Sequence, residues 1–250
     1  YESIIIGTQE ELDEEIAERA KKLKSVGTLS TGLDHIDLPA FEENGIEIFN
    51  TSQTNSISVA EHTIGLILSL QKRLIESHKS VLEGKDREGL KERPTELSQK
   101  TVGVIGAGSI ARELVNILQA FNTKIKVWSF HPEKHRDMEN SNVELESDLK
   151  QLIKTSDIVS IHVPLSEKTE DLINQKLVHK ISTDKSRILI NTSRSGIVDK
   201  SVLEDLGESS VFNSAGIDVY PEDLPNNSND RMIFTPHIAG LTQESSRRMR

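Results

Sequence analysis

At 250 residues, 35% hydrophobic and only 4% aromatic, the chain is long enough for one large domain or two modest ones. A net charge of -10 without any dense Lys/Arg block argues against binding a nucleic-acid backbone. The lack of cysteine removes disulfides, thiolate zinc sites and a Cys nucleophile and fits a reducing cytoplasm, and no apolar stretch is long enough to span a bilayer.

The first apolar run, Ser3–Ile6, predicts a buried strand rather than a signal peptide. Residues 10–24 predict a charged amphipathic helix with Leu12, Ile16, Ala20 and Leu23 at helical spacing. A short strand opening into a turn is expected over 24–32, a short helix over 39–44 and a strand over 46–49. Residues 58 to about 82 predict one long helix, apolar nearly all round at first and therefore buried at an interface. Residues 83–99 hold two Gly, one Pro and many charges, the pattern of a linker or exposed loop.

From Thr101 strands and helices alternate. Strands are expected at Thr101–Ile105, 124–130, 158–163, 187–191, 214–219 and 232–235. Helices are expected at Ser109–Ala120, 146–154, 168–180 and 200–206. Such alternation implies a parallel α/β sheet with right-handed crossovers. The expected domain boundary lies near Ser56, with a return at about Ala239, giving units at 1–55 and 56–239 and a final segment, 240–250, that crosses back.

In a doubly wound sheet, ligands bind at the carboxyl ends of the strands. Val102-Gly-Val-Ile-Gly106-Ala-Gly108-Ser109-Ile110-Ala111 follows a strand and opens a helix, the context a dinucleotide fingerprint requires. Gly106 permits a tight turn, Gly108 lets a pyrophosphate approach the backbone, and Ala111 keeps helix–strand packing close. The turn after the second strand of this unit should carry an acid for the ribose hydroxyls, yet His131 stands there. Ser129, His131, Lys134 and Arg136 could instead accept a 2′-phosphate, favouring NADP over NAD, although Glu133 lies nearby.

Two more strand ends carry functional groups. Arg194, in Asn191-Thr-Ser-Arg-Ser-Gly196, can grip a carboxylate with a bidentate fork, and His237, in Thr235-Pro-His-Ile-Ala-Gly240, can exchange a proton near neutral pH. A His acting as general acid needs a carboxylate on its other ring nitrogen, and Glu222 or Asp223 could supply it. Singly, His237 would read as an ordinary buried histidine and Arg194 as half of a surface ion pair; their shared position at strand ends argues against coincidence.

These motifs, in this order, resemble the D-isomer-specific 2-hydroxyacid dehydrogenase family. Ser30-Thr-Gly-Leu-Asp-His-Ile-Asp37, Ser58-Val-Ala-Glu-His-Thr63, Ile158-Val-Ser-Ile-His-Val-Pro-Leu165 and Gly216-Ile-Asp-Val-Tyr220 carry the resemblance over nearly the whole chain. It implies a Rossmann-type doubly wound domain and a second, incomplete flavodoxin-like α/β substrate domain, lacking a βα segment before Tyr1 and the end of a helix after Arg250. It also implies a small 2-oxo acid substrate and a homodimer, for which the apolar helix region 59–70 is the natural contact.

By the same resemblance, Arg194 binds the substrate carboxylate and polarises its carbonyl, His237 is the acid–base, and Asp218 hydrogen-bonds the nicotinamide carboxamide. Thr31 and Gly32 grip the carboxylate, while Pro164, Thr192 and Gly240 line the cofactor. The family's glutamate is replaced by Asp223 at its register, preceded by Glu222. Some proteins of this fold are dinucleotide-sensing scaffolds with little turnover, and that reading stands beside the enzymatic one.

Overall fold

The computed structural model describes residues 1–7, 10–90, 92–182, 184–207, 210–220 and 231–249. It divides into two compact units, one of Tyr1–Asn55 with Leu241–Arg250, the other of Ser56–Gly240.

In the first unit, β1 (Ser3–Ile6), β2 (Ser25–Thr28) and β3 (Glu47–Asn50) form a parallel sheet in that order. Helices α1 (Glu14–Arg19) and α2 (Leu38–Glu43) join the strands, and Leu12, Ala17, Val26, Ile36, Ala40, Phe41 and Ile46 make the core. The helix expected over 10–24 is reduced to α1. Leu12 is held out of it by a parallel bridge to Ile36, Asp13 caps its start by accepting from the Ile16 N–H at 2.9 Å, and Ala20 ends it.

The second unit begins with α3 (Ser56–Gln71) and α4 (Leu74–Leu82). There follow β4 (Thr101–Ile105), α5 (Ser109–Ala120), β5 (Lys124–Trp128), β6 (Val143–Glu146), α6 (Leu149–Thr155), β7 (Ile158–Ile161) and α7 (Gln175–Val178). The chain then continues through β8 (Ile188–Asn191), α8 (Lys200–Glu204), β9 (Ser214–Ile217) and β10 (Met232–Phe234). Its sheet is parallel throughout, in the order β10-β9-β8-β7-β4-β5-β6. Because side chains alternate across a strand, each face has its own core. Val102, Val104 and Ile190 pack with α3 and α5, whereas Ile105, Leu189 and Ile217 pack in the cluster that includes α6, α7 and α8.

Several expected elements differ. The helix over 58–82 is two helices, divided at Arg73, whose φ is +52°. Arg73 is held there by Glu76 at 2.8 Å and by Glu92. Strand β6, an edge strand with only Val143 and Leu145 apolar, precedes a helix that starts at Leu149 rather than 146. The helix over 168–180 shrinks to α7. Thr169, buried, donates to the Pro164 carbonyl at 2.6 Å and accepts from the Ser166 N–H, Asp171 has φ +46°, and Ile173 bridges Val198.

Arg187 is fully buried just before β8. Its guanidinium donates to the carbonyls of Ile153 (3.1 Å), Lys154 (3.0 Å), Ser182 (3.0 Å) and Lys185 (2.9 Å), giving the Lys154 carbonyl in the last turn of α6 a partner and adding a second to that of Ile153, which also accepts from the Ser156 N–H. Among the described residues, no helix is long and apolar enough to cross a membrane.

Candidate active site

The second unit's sheet starts in the middle: β4 leads to β5 and β6 on one side, and the chain then crosses to β7 on the other. The β4–β7 border is thus a topological switch point, where open parallel sheets bind ligands. Gly106 sits there with φ +113°, and a Cβ would overlap the His162 carbonyl, so only glycine fits the close approach. At Gly108, the N-cap of α5, a Cβ would meet nothing within 4 Å, and no side chain caps the helix. The first-turn N–H groups of this 12-residue helix therefore face an open cradle, the donor set that a diphosphate takes. Ser109 stands at its start and accepts from the Ser56 hydroxyl at 2.9 Å, with Ile110 next in the helix.

Arg194 follows β8 in extended backbone, before a 3-10 turn at Ser195–Ile197. Asn191, almost wholly buried, clamps this loop: its amide donates to the Arg194 carbonyl at 2.8 Å and its oxygen accepts from the Ser193 N–H at 3.0 Å. The Ser193 hydroxyl donates to the Val163 carbonyl, tying the loop to the end of β7. Arg194 Nη1 donates to the Ser193 carbonyl at 2.8 Å, and the residue is only partly buried.

His237 follows β10, two strands from β8, and its side chain is exposed. Its φ of +54° is rare outside glycine, and the surrounding hydrogen bonds enforce it. The His237 N–H donates to the Asp218 carbonyl at 2.9 Å, while the Asp218 carboxylate, fully buried, accepts from the Ile238 N–H (3.0 Å), the Ala239 N–H (2.9 Å) and the Thr235 hydroxyl. Asp218 is thus the anchor of the His237 turn. That use of its carboxylate was not apparent from the sequence.

The structure therefore gathers Gly106, Gly108, Thr192, Arg194, Asp218 and His237 at the carboxyl ends of strands of one sheet. Pro164 follows β7 and is exposed, and Gly240 ends the unit. His131 lies after β5, exposed, with Nδ1 3.4 Å from Glu133. Nearby Arg112 is paired with Asp137 at 2.5 Å, which holds that carboxyl below its ordinary range. Thr31 and Gly32 belong to the first unit, where the Thr31 hydroxyl donates to Asn55 at 3.1 Å and the Asn50 amide donates to the Thr31 carbonyl at 2.8 Å. Glu222 and Asp223 lie outside the described residues. Among the described residues no group of three or more His, Cys, Asp or Glu could hold a metal ion.

Sequence reasoning assigned no role to His62, Thr63 or Thr235. His62 Nε2 is 2.9 Å from Thr235 Oγ1, and Thr63 Oγ1 is 3.1 Å from Thr192 Oγ1. The available signal was a polar triplet, Glu61-His62-Thr63, inside a largely apolar stretch.

Residues 64–239 match the model of the D-isomer specific 2-hydroxyacid dehydrogenase, NAD binding domain. A D-3-phosphoglycerate dehydrogenase of Archaeoglobus fulgidus is 34% identical over 250 residues; the match covers 98% of this chain but 46% of that one, so the chain spans about half the length of this curated relative. A glyoxylate reductase of Thermofilum pendens is 34% identical over 254 residues, covering 96% and 72% of the two chains. The solved D-lactate dehydrogenase from Aquifex aeolicus, complexed with NAD and lactic acid, is similar at TM-score 0.88 and 30% identity, covering 99% of this chain and 79% of that one. With the glycine loop at the switch point, a family model matched over residues 64–239 and a relative 34% identical over nearly the whole chain, the chain belongs to the D-isomer-specific 2-hydroxyacid dehydrogenase family.

Proposed function

We propose that this protein reduces a small 2-oxo acid, of glyoxylate, hydroxypyruvate or lactate type, to the D-2-hydroxy acid, using a nicotinamide dinucleotide. The observation that carries the reading is the placement of Arg194 and His237 at strand ends of the sheet whose switch point holds the Gly106–Gly108 cradle. On this reading the second unit is the dinucleotide domain, and the family resemblance makes Thr31 and Gly32 substrate-binding residues.

Gly106, Gly108, Ser109 and Ile110 would hold the diphosphate, and Pro164, Thr192, Asp218 and Gly240 the nicotinamide end. The cofactor supplies the hydride. Arg194 binds the substrate carboxylate as a charge-assisted fork and stabilises charge developing on the carbonyl oxygen. His237 gives that oxygen a proton, oriented by Asp223 on family register. Loss of a buried carboxylate partner in such a site costs on the order of 3 kcal/mol of transition-state binding.

NADPH is proposed over NADH, because no acid ends β5 and His131, Lys134 and Arg136 are exposed in the turn that follows. We also propose a homodimer through the α3–α4 region. The apolar residues of α3 between 59 and 70 are largely buried within the unit, while Ile57 on α3 and Leu74, Ile75, Val81 and Leu82 on α4 are exposed for a second copy to cover. The test of function is a panel of 2-oxo acids assayed with NADH and NADPH in parallel. Turnover of a short 2-oxo acid supports the reading, and tight dinucleotide binding without turnover of any acid would make the chain a sensor instead.

A further inference from the structure

The His237 turn is held by a chain of side chains that begins outside it, on α3. Thr235 has one hydroxyl proton, and it goes to the Asp218 carboxylate, which can only accept. Toward His62, 2.9 Å away, Thr235 Oγ1 is therefore an acceptor, so His62 Nε2 carries a proton and donates it. The Asp218 oxygen that takes the Thr235 hydrogen bond lies 3.6 Å from the same His62 nitrogen, and its charge favours that proton placement. The chain runs from His62 through Thr235 to Asp218, and from Asp218 to the N–H groups of Ile238 and Ala239 on either side of its two oxygens.

The helix end of this chain is fixed too. Thr63, fully buried, donates its hydroxyl proton to the Val59 carbonyl at 2.8 Å, so the contact with Thr192 at 3.1 Å is one in which Thr192 donates. Consecutive residues of α3 thus hold the loop carrying Arg194 and the turn carrying His237, from a helix packed against α5 in the core.

We propose that His62 is a positioning residue: through Thr235 it fixes the Asp218 carboxylate, and thereby the backbone of residues 237–239 that presents His237. As it bears on turnover, this rests on the proposed acid–base role of His237; as it bears on the turn, it does not. His62→Leu removes the donor, His62→Gln keeps an N–H, and Thr235→Val cuts the same chain one link further on.

Two measurements on the dinucleotide-loaded protein decide it: hydrogen exchange of the Ile238 and Ala239 amides, and kcat with the best 2-oxo acid beside KM and reduced-cofactor affinity. His62→Leu should speed exchange of both amides and lower kcat by about tenfold, the effect of one lost hydrogen bond, with cofactor affinity within about threefold. His62→Gln should recover most of both. Thr235→Val, which removes the donor to Asp218 itself, should cost at least as much as His62→Leu, and adding His62→Leu to it should bring little further loss, since linked residues are not additive. Unchanged exchange in His62→Leu overturns the proposal, as does equal impairment by Leu and Gln. Faster exchange in His62→Leu in a protein that reduces no 2-oxo acid would uphold the positioning role and sink the proposed reaction.

Discussion

His162 should make this protein acid-sensitive, by an amount the structure allows to be worked out. Its side chain is 9% exposed at the end of β7. Nε2 lies 2.8 Å from the Ser160 hydroxyl, while Nδ1, buried, has no hydrogen-bond partner among the described residues. A bare lone pair costs less than an unpaired N–H, so the proton belongs on Nε2, and a second proton would bring an uncompensated charge into the core. Burial accordingly pushes the pKa down from 6.5 to about 3. A neutral folded His and a protonating unfolded one mean that the unfolded state binds more protons between those values. Stability therefore rises with pH across that window and falls on acidification from 6.5 toward 3. Between about pH 7.5 and about pH 5 the loss from this one group is about 2 kcal/mol, at about 1.4 kcal/mol per pH unit below 6.5.

The assay is urea unfolding of the protein and of His162→Gln at both pH values, followed by fluorescence of Trp128, the sole tryptophan and a buried residue of the same unit. Glutamine can place an amide near the position of Nε2 and does not titrate. Other acidic and basic groups contribute equally to both proteins, so the difference between their pH dependences isolates His162. The native-sequence protein should lose about 2 kcal/mol more than the variant. Equal losses would refute the reasoning.

The proposed pairing of His237 with Asp223 is tested by pH profiles of turnover: if it holds, Asp223→Asn should lower the pH at which reduction fades, because an imidazolium deprived of a carboxylate partner gives up its proton more readily. A profile that moves with Glu222→Gln and ignores Asp223→Asn assigns the orienting role to Glu222. For cofactor choice, His131→Asp should weaken NADPH by roughly tenfold or more relative to NADH, as a charge-assisted contact is replaced by repulsion. Tight NADH binding with hardly any NADPH binding by the unaltered protein would place the ribose hydroxyls on Glu133 or the backbone instead.

The strand–helix order of the second unit was legible because its buried strands are nearly continuous apolar runs and α5 has clean helical spacing from Ser109 to Ala120. What escaped was set by contacts distant in sequence. Arg73 breaks the long helix without a Gly or Pro, held by Glu76 nearby and by Glu92 from the loop beyond α4. The 168–180 segment has helical composition, but Thr169 binds it to Pro164 and Ile173 to Val198, so only four residues remain helical. Strand β6 offers two apolar residues at a sheet edge, too weak a signal against the helix that follows. At the site, glycines and strand-end residues could be read from spacing, because glycine need and strand termini are local properties. The use of the Asp218 carboxylate to hold residues 235–239, and the reach of His62 across 173 positions to Thr235, are properties of the packed sheet and helix.

The central claim, that Arg194 holds the substrate at the carboxyl end of β8, is met most directly by Arg194→Ala, assayed for kcat/KM on the best 2-oxo acid with folding monitored alongside. Truncation should cost on the order of 3 kcal/mol of transition-state binding, more than a hundredfold in kcat/KM, with dinucleotide affinity and unfolding midpoint nearly unchanged. Kinetics within about threefold of the unaltered protein would show that Arg194 serves only the structure of its loop and that the site lies elsewhere.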